Sequence, residues 1–553
     1  MKTQNLLYML VSTFVTTFAQ AQNLQRAWIS SYPSEQNPLN GSATDIAVVG
    51  YGNSHVTGYI FSSATREDFL TIKYDPTGAA LWVAHYDSPG NSSDIARAIA
   101  LDSLGNVYVT GASRGAGTGQ DFATIKYNSA GIAQWVARYN SPADSTDTPV
   151  AIALDAVANV YVTGASLGAG TSFDYATIKY DSAGAEQWVA RYNGEGNSED
   201  LATDMAVEPS GHVYVTGRSK GLNTDFDYTT IKYNSSGSSM WIKRYNGPGN
   251  GYDGATAIAC DSARKSIYVT GASWGANTDG DYATIKYLDD GAQVWVARYD
   301  GHRQVYDGAK ALALDRTGNL YVTGSNFSAI QNNLYYYFVT TIKYNAAGAK
   351  QWEAYFQRSY DPLSSDDAQA LNVDAGGNVY LLGSSYFFRI GSSAYMISYD
   401  SLGARRWLLF DALTSAASMS VDHALNIYVA GWNLYRENQF ERYTLFTTIK
   451  YLQTPVAVAE SEVWQPNIFA LAQNYPNPFN PTTTIRYSIP RPGLVDLKVF
   501  NLSGQEVATL VNEHQHAGAH EVQWHSNNLP GGLYVYRLQS GDWVESKKII
   551  LLK

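Results

Sequence analysis

The stretch AIALDSLGNVYVTGASRGAGTGQDFATIKYNSAGIAQWVARY, residues 98–139, decides the fold because each of its parts recurs along most of the chain. Thr-Ile-Lys-Tyr begins at 71, 124, 177, 230, 284, 341 and 448, with a degenerate copy at 396. Val-Thr-Gly and a Trp-x-x-x-Tyr string keep the same spacing of about 53 residues, so each element occurs eight times when weaker copies are included. A period of this length indicates a repeat architecture.

Each recurring string has the chemistry of a β-strand. In 281–287, Ala283, Ile285 and Tyr287 share one face, and the residues between them share the other. The AIALD run contains no polar residue before its final Asp, as in a strand covered on both faces, and the following Asp-x-x-Gly-Asn is typical of a hairpin. Four strands per repeat without a helical period predict an all-β fold, an eight-bladed β-propeller over 22–451.

The phase of the repeat predicts how the ring closes. The chain enters the repeats with a Trp strand at 28–32 and leaves them with a Thr-Ile-Lys-Tyr strand that no Trp strand follows. With AIALD innermost, we expect residues 27–32 to complete the blade formed by 414–451. The order of the strings resembles the bacterial SBBP β-propeller repeats over 27–451, a family whose name implies seven blades where this sequence counts eight.

The pattern Gly-x-Ser-x-Gly lies within the repeat at 111–115, 164–168, 217–221 and 271–275. In a serine hydrolase this pattern needs a strand-to-helix turn and a partner histidine. Four copies at blade spacing, each leading into a Gly/Thr-rich loop, predict turns. We therefore expect no hydrolase nucleophile here.

Bulk properties exclude some classes of partner. A net charge of −11 without a Lys/Arg run argues against nucleic acid, and the single cysteine, Cys260, cannot form an intramolecular disulfide.

The N-terminus predicts a signal peptide over 1–21, because Lys2 is followed by an apolar stretch over 6–18 and then by Ala19-Gln20-Ala21. No later segment is apolar enough over 18 residues to span a bilayer, so we expect no transmembrane segment. We also expect a monomer. We expect no cofactor, and nothing in the sequence specifically supports Ca²⁺.

The composition changes after Tyr451, with a linker over 452–470 and then proline-rich entries and alternating stretches over 471–553. About seven short strands without cysteine predict a small Ig-like sandwich. Four motifs lie there in order, namely Asn474-Tyr475-Pro476-Asn477-Pro478-Phe479, Val499-Phe-Asn-Leu-Ser-Gly504, Leu529-Pro-Gly-Gly-Leu-Tyr534 and Lys547-Lys548-Ile549.

These motifs closely resemble the C-terminal (type A) sorting domain of type IX secretion substrates. The resemblance implies export to the periplasm and recognition by the secretion machinery at the outer membrane. It also implies release or attachment at the cell surface of a Gram-negative-type bacterium. The alternative is an ordinary accessory Ig-like module.

Two aspartate series fall where propeller loops open on one face. One precedes the inner strands and comprises Asp94, Asp147, Asp200, Asp253, Asp307 and Asp366. The other precedes Thr-Ile-Lys-Tyr and comprises Asp68, Asp121, Asp174, Asp227 and Asp281. They predict either an acidic ring at the channel mouth that holds a cation or basic group, or side chains that cap their own loops. Recurrence in nearly every blade favours capping.

Blades six to eight replace the Gly-rich loop with aromatic stretches at 326–338, 385–395 and 432–446. Aromatic loops on one side of a ring can stack on sugars or contact a protein, or the rings can pack on each other. The candidate ligand-binding residues are Tyr335, Tyr336, Tyr337, Tyr386, Phe387, Phe388, Trp432 and Tyr435.

Two functions remain open from the sequence. The favoured one is a non-catalytic secreted or surface propeller that binds glycan or protein. The alternative is a secreted polysaccharide-acting enzyme that uses carboxylates such as Glu437 and Glu441.

Overall fold

The computed structural model describes residues 22–33, 40–50, 52–62, 66–301, 306–330, 334–358, 364–387, 391–410, 413–436, 442–455, 470–471, 474, 479, 481–516, 518–526, 529–541 and 543–551. Every regular element in these ranges is a strand, and they contain no helix long and apolar enough to cross a membrane. The chain divides into two compact units, Met1–Val456 and Ala457–Lys553. The predicted signal peptide lies outside the described residues, as does the predicted linker except for its two ends.

The first unit contains 32 described strands. In chain order they are β1 (Gln22–Tyr32), β2 (Gly41–Val49), β3 (Asn53–Ser62), β4 (Arg66–Tyr74), β5 (Ala80–Tyr86), β6 (Asp94–Leu101), β7 (Val107–Arg114), β8 (Gln120–Tyr127), β9 (Ala133–Tyr139), β10 (Asp147–Leu154), β11 (Val160–Leu167), β12 (Phe173–Tyr180), β13 (Glu186–Tyr192), β14 (Asp200–Val207), β15 (Val213–Lys220), β16 (Phe226–Tyr233), β17 (Ser239–Tyr245), β18 (Asp253–Asp261), β19 (Ser266–Trp274), β20 (Gly280–Leu288), β21 (Gln293–Tyr299), β22 (Asp307–Leu314), β23 (Leu320–Ile330), β24 (Leu334–Tyr344), β25 (Lys350–Phe356), β26 (Ser364–Val373), β27 (Val379–Phe387), β28 (Gly391–Tyr399), β29 (Arg405–Phe410), β30 (Ser415–Val421), β31 (Ile427–Arg436) and β32 (Arg442–Pro455).

These strands form eight four-stranded antiparallel sheets. Sheets 1 to 7 each take four consecutive strands, from β2–β5 in sheet 1 to β26–β29 in sheet 7, and sheet 8 has the order β1-β32-β31-β30. The first strand of each sheet lies beside the first strand of the next, and β30 of sheet 8 lies beside β2 of sheet 1. The sheets therefore follow one another around a closed circuit.

The N-terminal strand completes sheet 8, as the phase of the repeat predicts. β1 pairs with β32 from Gln22 opposite Pro455 to Tyr32 opposite Phe446. β32 runs to Pro455, four residues beyond the predicted end of the repeats at 451. The added residues of β32 pair with the added residues at the start of β1.

The core lies between neighbouring sheets. Tyr108 and Phe122 of sheet 2, for example, pack with Val160 and Val162 of sheet 3. The tryptophans of the fourth strands add a link to the next sheet, as when Trp135 Nε1 donates a hydrogen bond of 3.2 Å to the Ser182 carbonyl. Its ring lies where a Cβ on Gly184 would approach within 2.6 Å, and Gly184 has φ of +87°. A larger residue is excluded there on both counts.

The three aromatic stretches that were expected to be loops are mostly strand, and that expectation is wrong. Residues 326–330 and 334–338 extend the β23–β24 hairpin, with Phe327 opposite Tyr337. The β27–β28 and β31–β32 hairpins extend in the same way. Aromatic and β-branched side chains facing each other across paired strands favour this extension over an open loop.

The second unit contains seven described strands in two sheets. They are β33 (Ala470–Leu471), β34 (Thr482–Ile489), β35 (Gly493–Phe500), β36 (Glu506–Gln515), β37 (Gly518–His525), β38 (Gly532–Ser540) and β39 (Trp543–Leu551). The sheet orders are β33-β34-β37 and β36-β35-β38-β39. Ile485 and Tyr487 of the first sheet share one buried cluster with Leu497 and Tyr536 of the second.

Candidate ligand-binding cleft

The aspartates expected just before the inner strands lie at the beginning of the first strands and are buried. Asp94 accepts hydrogen bonds from Ser88 N (2.7 Å) and Arg114 N (3.1 Å), so it ties the loop before β6 to the end of β7. Asp147, Asp200, Asp253, Asp307 and Asp366 are equally buried, and each accepts at least one backbone N–H. Burial raises the pKa of all six, that of Asp307 to about 7. The geometry favours loop capping, and the ligand-holding acidic ring stays a prediction.

The second aspartate series is paired with arginine in four sheets. The Arg138 guanidinium lies 2.7 Å from Asp121, and the same pair recurs in sheets 3, 4 and 5. Sheet 1 has His85 at the arginine position. There the carboxylates of Asp68, Asp87 and Asp94 approach one another within 4.8 Å, the one described group that could hold a metal ion.

The described side chains among the predicted aromatic residues belong to hairpins of three different sheets. Tyr335, Tyr336 and Tyr337 lie on β24, Tyr386 and Phe387 on β27, and Trp432 and Tyr435 on β31. Tyr337 and Tyr386 are 39% and 48% exposed, and Trp432 and Tyr435 are half-buried. Phe388, Glu437 and Glu441 lie outside the described residues, as do the side chains of Tyr335, Tyr336 and Phe387. Of this set, Tyr337 lines a described pocket.

That pocket, here called the tyrosine cleft, has a volume of about 250 Å³ and lies where sheets 5, 6 and 7 meet. Tyr252 stands directly before β18, Tyr306 stands directly before β22, and Tyr337 comes from β24. Tyr306 is 47% exposed, although partial burial raises its pKa. Three tyrosine rings therefore line one concave surface.

The cleft arises from small departures within the repeat. The residue before the buried aspartate is Ser93, Thr146 and Glu199 in sheets 2 to 4, but tyrosine in sheets 5 and 6. The residue after that aspartate is Ile95, Thr148 and Leu201 in sheets 2 to 4, but Gly254 and Gly308 in sheets 5 and 6.

A Cβ on Gly254 would lie 2.7 Å from the Tyr252 hydroxyl, and one on Gly308 would lie 3.3 Å from the Tyr306 ring. Larger side chains at these two positions would therefore press against the tyrosines. Glycine leaves open the space that the cleft occupies.

Polar and charged groups complete the cleft. Thr256, Lys310, Ser325 and Asp367 contribute to its wall. Behind it, Arg218 donates a hydrogen bond of 2.9 Å to the Tyr252 hydroxyl, and its guanidinium lies over the rings of Phe226 (5.4 Å) and Tyr252 (5.7 Å). Arg218 thereby fixes one wall of the cleft.

Sequence reasoning missed Tyr252, Tyr306, Lys310 and the two glycines. Each is a single-residue departure inside a copy that otherwise keeps the repeat. Their signal in the sequence is the difference between equivalent positions of the eight copies, which is smaller than the length difference of the three aromatic hairpins.

The sorting-domain motif is partly described. Asn474 is buried, its backbone N–H donates to the Tyr536 hydroxyl (2.8 Å), and its Nδ2 donates to Thr483 Oγ1 (2.9 Å). Phe479 is buried against Trp524, with ring centroids 5.2 Å apart. Lys547 is half-buried and Lys548 exposed on β39. Tyr475, Pro476, Asn477 and Pro478 lie outside the described residues.

Family comparisons match a segment of each unit. Residues 473–552 match the secretion system C-terminal sorting domain, and residues 90–116 match the β-propeller repeat of the SBBP type. The chain therefore carries β-propeller repeats and a type IX sorting domain, and the sorting domain marks it as a secreted protein.

Three solved structures illustrate the likeness outside these families. The WD40 domain of SCAP from fission yeast has 10% identity, covering 79% of this chain and 99% of that one, with a TM-score of 0.41. PorZ, a surface component of the type IX system of Porphyromonas gingivalis, has 13% identity, 92% and 81% coverage, and a TM-score of 0.22. An ulvan lyase has 12% identity, 60% and 88% coverage, and a TM-score of 0.37. These scores carry no argument about function, and no curated protein matches the chain.

Proposed function

We propose that the protein is an eight-bladed β-propeller, exported by the type IX system, that binds a glycan in the tyrosine cleft without transforming it. The eight blades are the eight four-stranded sheets, which close through the neighbouring strands β30 and β2. The second unit, with its sheets of three and four strands, is the Ig-like domain that engages the secretion machinery. The monomeric protein is released from a Gram-negative-type cell or held on its surface.

The convergence of Tyr252, Tyr306 and Tyr337 on one cleft is the observation that carries the proposal. Aromatic rings present flat apolar faces on which the C–H faces of a sugar can stack, and their hydroxyls remain available for hydrogen bonds. Thr256, Ser325 and Asp367 add groups that can pair with sugar hydroxyls. A concave, largely apolar surface with a few polar groups is the usual form of a small-ligand site.

The described wall of the cleft favours binding over catalysis. Glycoside hydrolysis ordinarily uses two carboxyl groups on opposite sides of the scissile bond. Of the described residues that line the cleft, Asp367 alone carries a carboxylate. The polysaccharide-acting enzyme remains the alternative, and turnover of a bound glycan would favour it.

The test is titration of the full-length secreted protein with a panel of oligosaccharides, followed by the variant Tyr306→Ala. Loss of one central aromatic ring is expected to weaken binding about 10- to 30-fold, because it removes about 1.4–2 kcal/mol of contact. Gly308→Leu, which introduces the residue that sheet 4 tolerates as Leu201, is expected to fill the cleft and weaken binding equally.

Tyr386→Ala is the matched control, because Tyr386 is as exposed as Tyr306 but does not line the cleft. Its affinity should equal that of the unmodified protein. Equal loss in both tyrosine variants, or failure of every oligosaccharide to bind, would overturn the proposal.

A further inference from the structure

Lys310 occupies a special position in the tyrosine cleft. The register of the β22–β23 pair shifts between Ala309 and Ala311, so Lys310 is the bulged residue of its strand. Its side chain is exposed and lines the cleft. The bulged residues of the neighbouring sheets are neutral, Thr256 in sheet 5 and Gln369 in sheet 7.

The Lys310 ammonium is not engaged by its described neighbours, although Asp367 also lines the cleft. No hydrogen bond or ion pair joins it to another described residue. The repeated lysines behave differently, since Lys126 Nζ donates to the Ser182 carbonyl (2.9 Å) and lies 5.1 Å from the centre of the Tyr108 ring. Lys179 and Lys286 make the same two contacts in their sheets. Lys310 is therefore a cation available to a ligand.

A second cation stands behind the cleft. Arg218 holds Tyr252, and the residues at its position in the neighbouring sheets 3 and 5 are Ala165 and Ala272. Among the described lining residues Lys310 is the one cation and Asp367 the one carboxylate, in a chain whose net charge is −11. Lys310 thus places an exposed cation, engaged by no described residue, in the wall of the cleft, and such a cation favours an anionic group on the ligand.

We propose that the ligand is an anionic glycan whose carboxylate or sulfate pairs with Lys310 Nζ while its sugar rings stack on the tyrosines. The inference rests on the glycan-binding function proposed above and names the class of glycan. Asp367 accepts hydrogen bonds from the hydroxyls of a neighbouring sugar and repels a second acidic group beside it. The ligand therefore binds in one orientation along the cleft, with its carboxylate or sulfate toward Lys310 of sheet 6.

The experiment compares two pairs of probes that differ only in charge. Oligogalacturonate is paired with its methyl-esterified form, and dextran sulfate with dextran, so that a carboxylate and a sulfate are tested separately. With the full-length protein, at least one anionic probe should bind about tenfold tighter than its neutral partner, with an advantage that shrinks as salt is added. Lys310→Gln should bind both members of that pair alike.

Arg97→Gln is the matched control. Arg97 is the exposed bulged residue of sheet 2 and lies outside the cleft, so its loss changes the net charge by the same amount. The preference for the anionic probe should survive in Arg97→Gln. Equal loss of preference in the two variants would overturn the inference, because it would reflect the overall field and not a contact in the cleft.

The remaining outcomes separate this inference from the proposed function. If neutral and anionic probes bind equally and Tyr306→Ala weakens the binding of both about 10- to 30-fold, the anionic class is wrong and glycan binding stands. If none of the probes binds, and the wider oligosaccharide panel also fails, both are wrong.

Discussion

At the scale of single residues, the arginine of the fourth strand joins three strands of its own sheet and the sheet before it. Arg191 Nη2 lies 2.8 Å from Asp174 and donates to the Ser166 carbonyl (2.9 Å). Its Nη1 donates to the Tyr139 hydroxyl of sheet 2 (2.8 Å). Because the Asp174 carboxylate is buried, it depends on this guanidinium to compensate for lost hydration.

Arg191→Ala is expected to lower the free energy of unfolding by about 1–3 kcal/mol, because it removes the charged donor of a buried carboxylate and leaves it the Thr171 hydroxyl (3.1 Å). Arg191→Lys should recover only part of this, since an ammonium cannot reach Asp174, Ser166 and Tyr139 at once. Denaturant unfolding measures the effect. Arg97→Ala, which removes an exposed arginine, is the control, and an equal loss there would contradict the assignment.

Single residues also explain why the cleft escaped sequence reasoning. The period of about 53 residues is visible in strings that recur along the chain. Residues in such strings make packing contacts that all the sheets share. Tyr252 and Gly254 differ from the repeat at two positions on either side of an aspartate that keeps it. Their significance depends on Tyr306 and Tyr337 lying beside them, and this proximity arises only when sheets 5 and 6 are adjacent.

At the scale of elements, two aspartates connect the first strands of neighbouring sheets. Asp204 on β14 accepts a hydrogen bond from Ile258 N on β18 (2.9 Å). Asp45 on β2 accepts from Ile99 N on β6 (3.0 Å) and from Ser418 Oγ on β30 (2.8 Å). These carboxylates supplement packing where inner strands meet.

The Asp204 bridge predicts a pH dependence of stability. Burial raises the pKa of Asp204 to about 6, from an ordinary value of 3.8. Between about pH 4 and pH 6 the unfolded chain loses this proton before the folded one does, so the contribution of Asp204 to the free energy of unfolding falls as pH rises. Asp204→Asn removes that loss, because the amide oxygen still accepts the Ile258 N–H and carries no charge.

The measurement is the free energy of unfolding of both proteins from pH 4 to pH 7. The free energy of unfolding of Asp204→Asn, relative to that of the unmodified protein, should rise by about 1–3 kcal/mol as pH increases across the window. Above the window the difference should stay constant. Asp279→Asn, at an exposed carboxylate, is the control. A difference that is flat with pH would show that Asp204 is not buried as a proton-retaining group.

Strand order and pairing could be predicted because four strings recur in one order with hairpin residues between them. The three aromatic hairpins could not, because 326–338 lacks a clean alternation and was therefore interpreted as loop. Pairing of Phe327 with Tyr337 and of Tyr435 with Tyr443 extends these strands, and such cross-strand partners are recognisable only once the register is known.

At the scale of the whole molecule, β1 supplies the fourth strand of sheet 8, so that this sheet has as many strands as each of the other seven. Trp28 of β1 repeats the tryptophan link, since its Nε1 donates to the Pro76 carbonyl of sheet 1 (3.1 Å). Without β1, the outer edge of β32 would have no partner, and an unpaired edge invites association with another chain.

Deletion of Gln22–Tyr32 is therefore expected to lower the free energy of unfolding by roughly 3 kcal/mol or more, since loss of a packed tryptophan alone has about that effect. Self-association should increase. Denaturant unfolding and sedimentation measure the two effects. A synthetic peptide of residues 22–32 should restore stability, whereas a peptide with the same residues in scrambled order should not, and an unchanged deletion variant would contradict the role of β1.

The pairing of β1 with β32 also constrains the order in which the sheets can form during folding. Ser31 and Thr447 touch although 416 residues separate them, so this contact has the largest loop-closure entropy of any strand pair in the unit. Each of sheets 1 to 7 is built from consecutive strands and can form before the rest of the chain is present. Sheet 8 cannot be completed until the chain extends to Pro455, the last residue of β32. Closure of the circuit therefore requires both ends of the first unit, whereas pairing within sheets 1 to 7 does not.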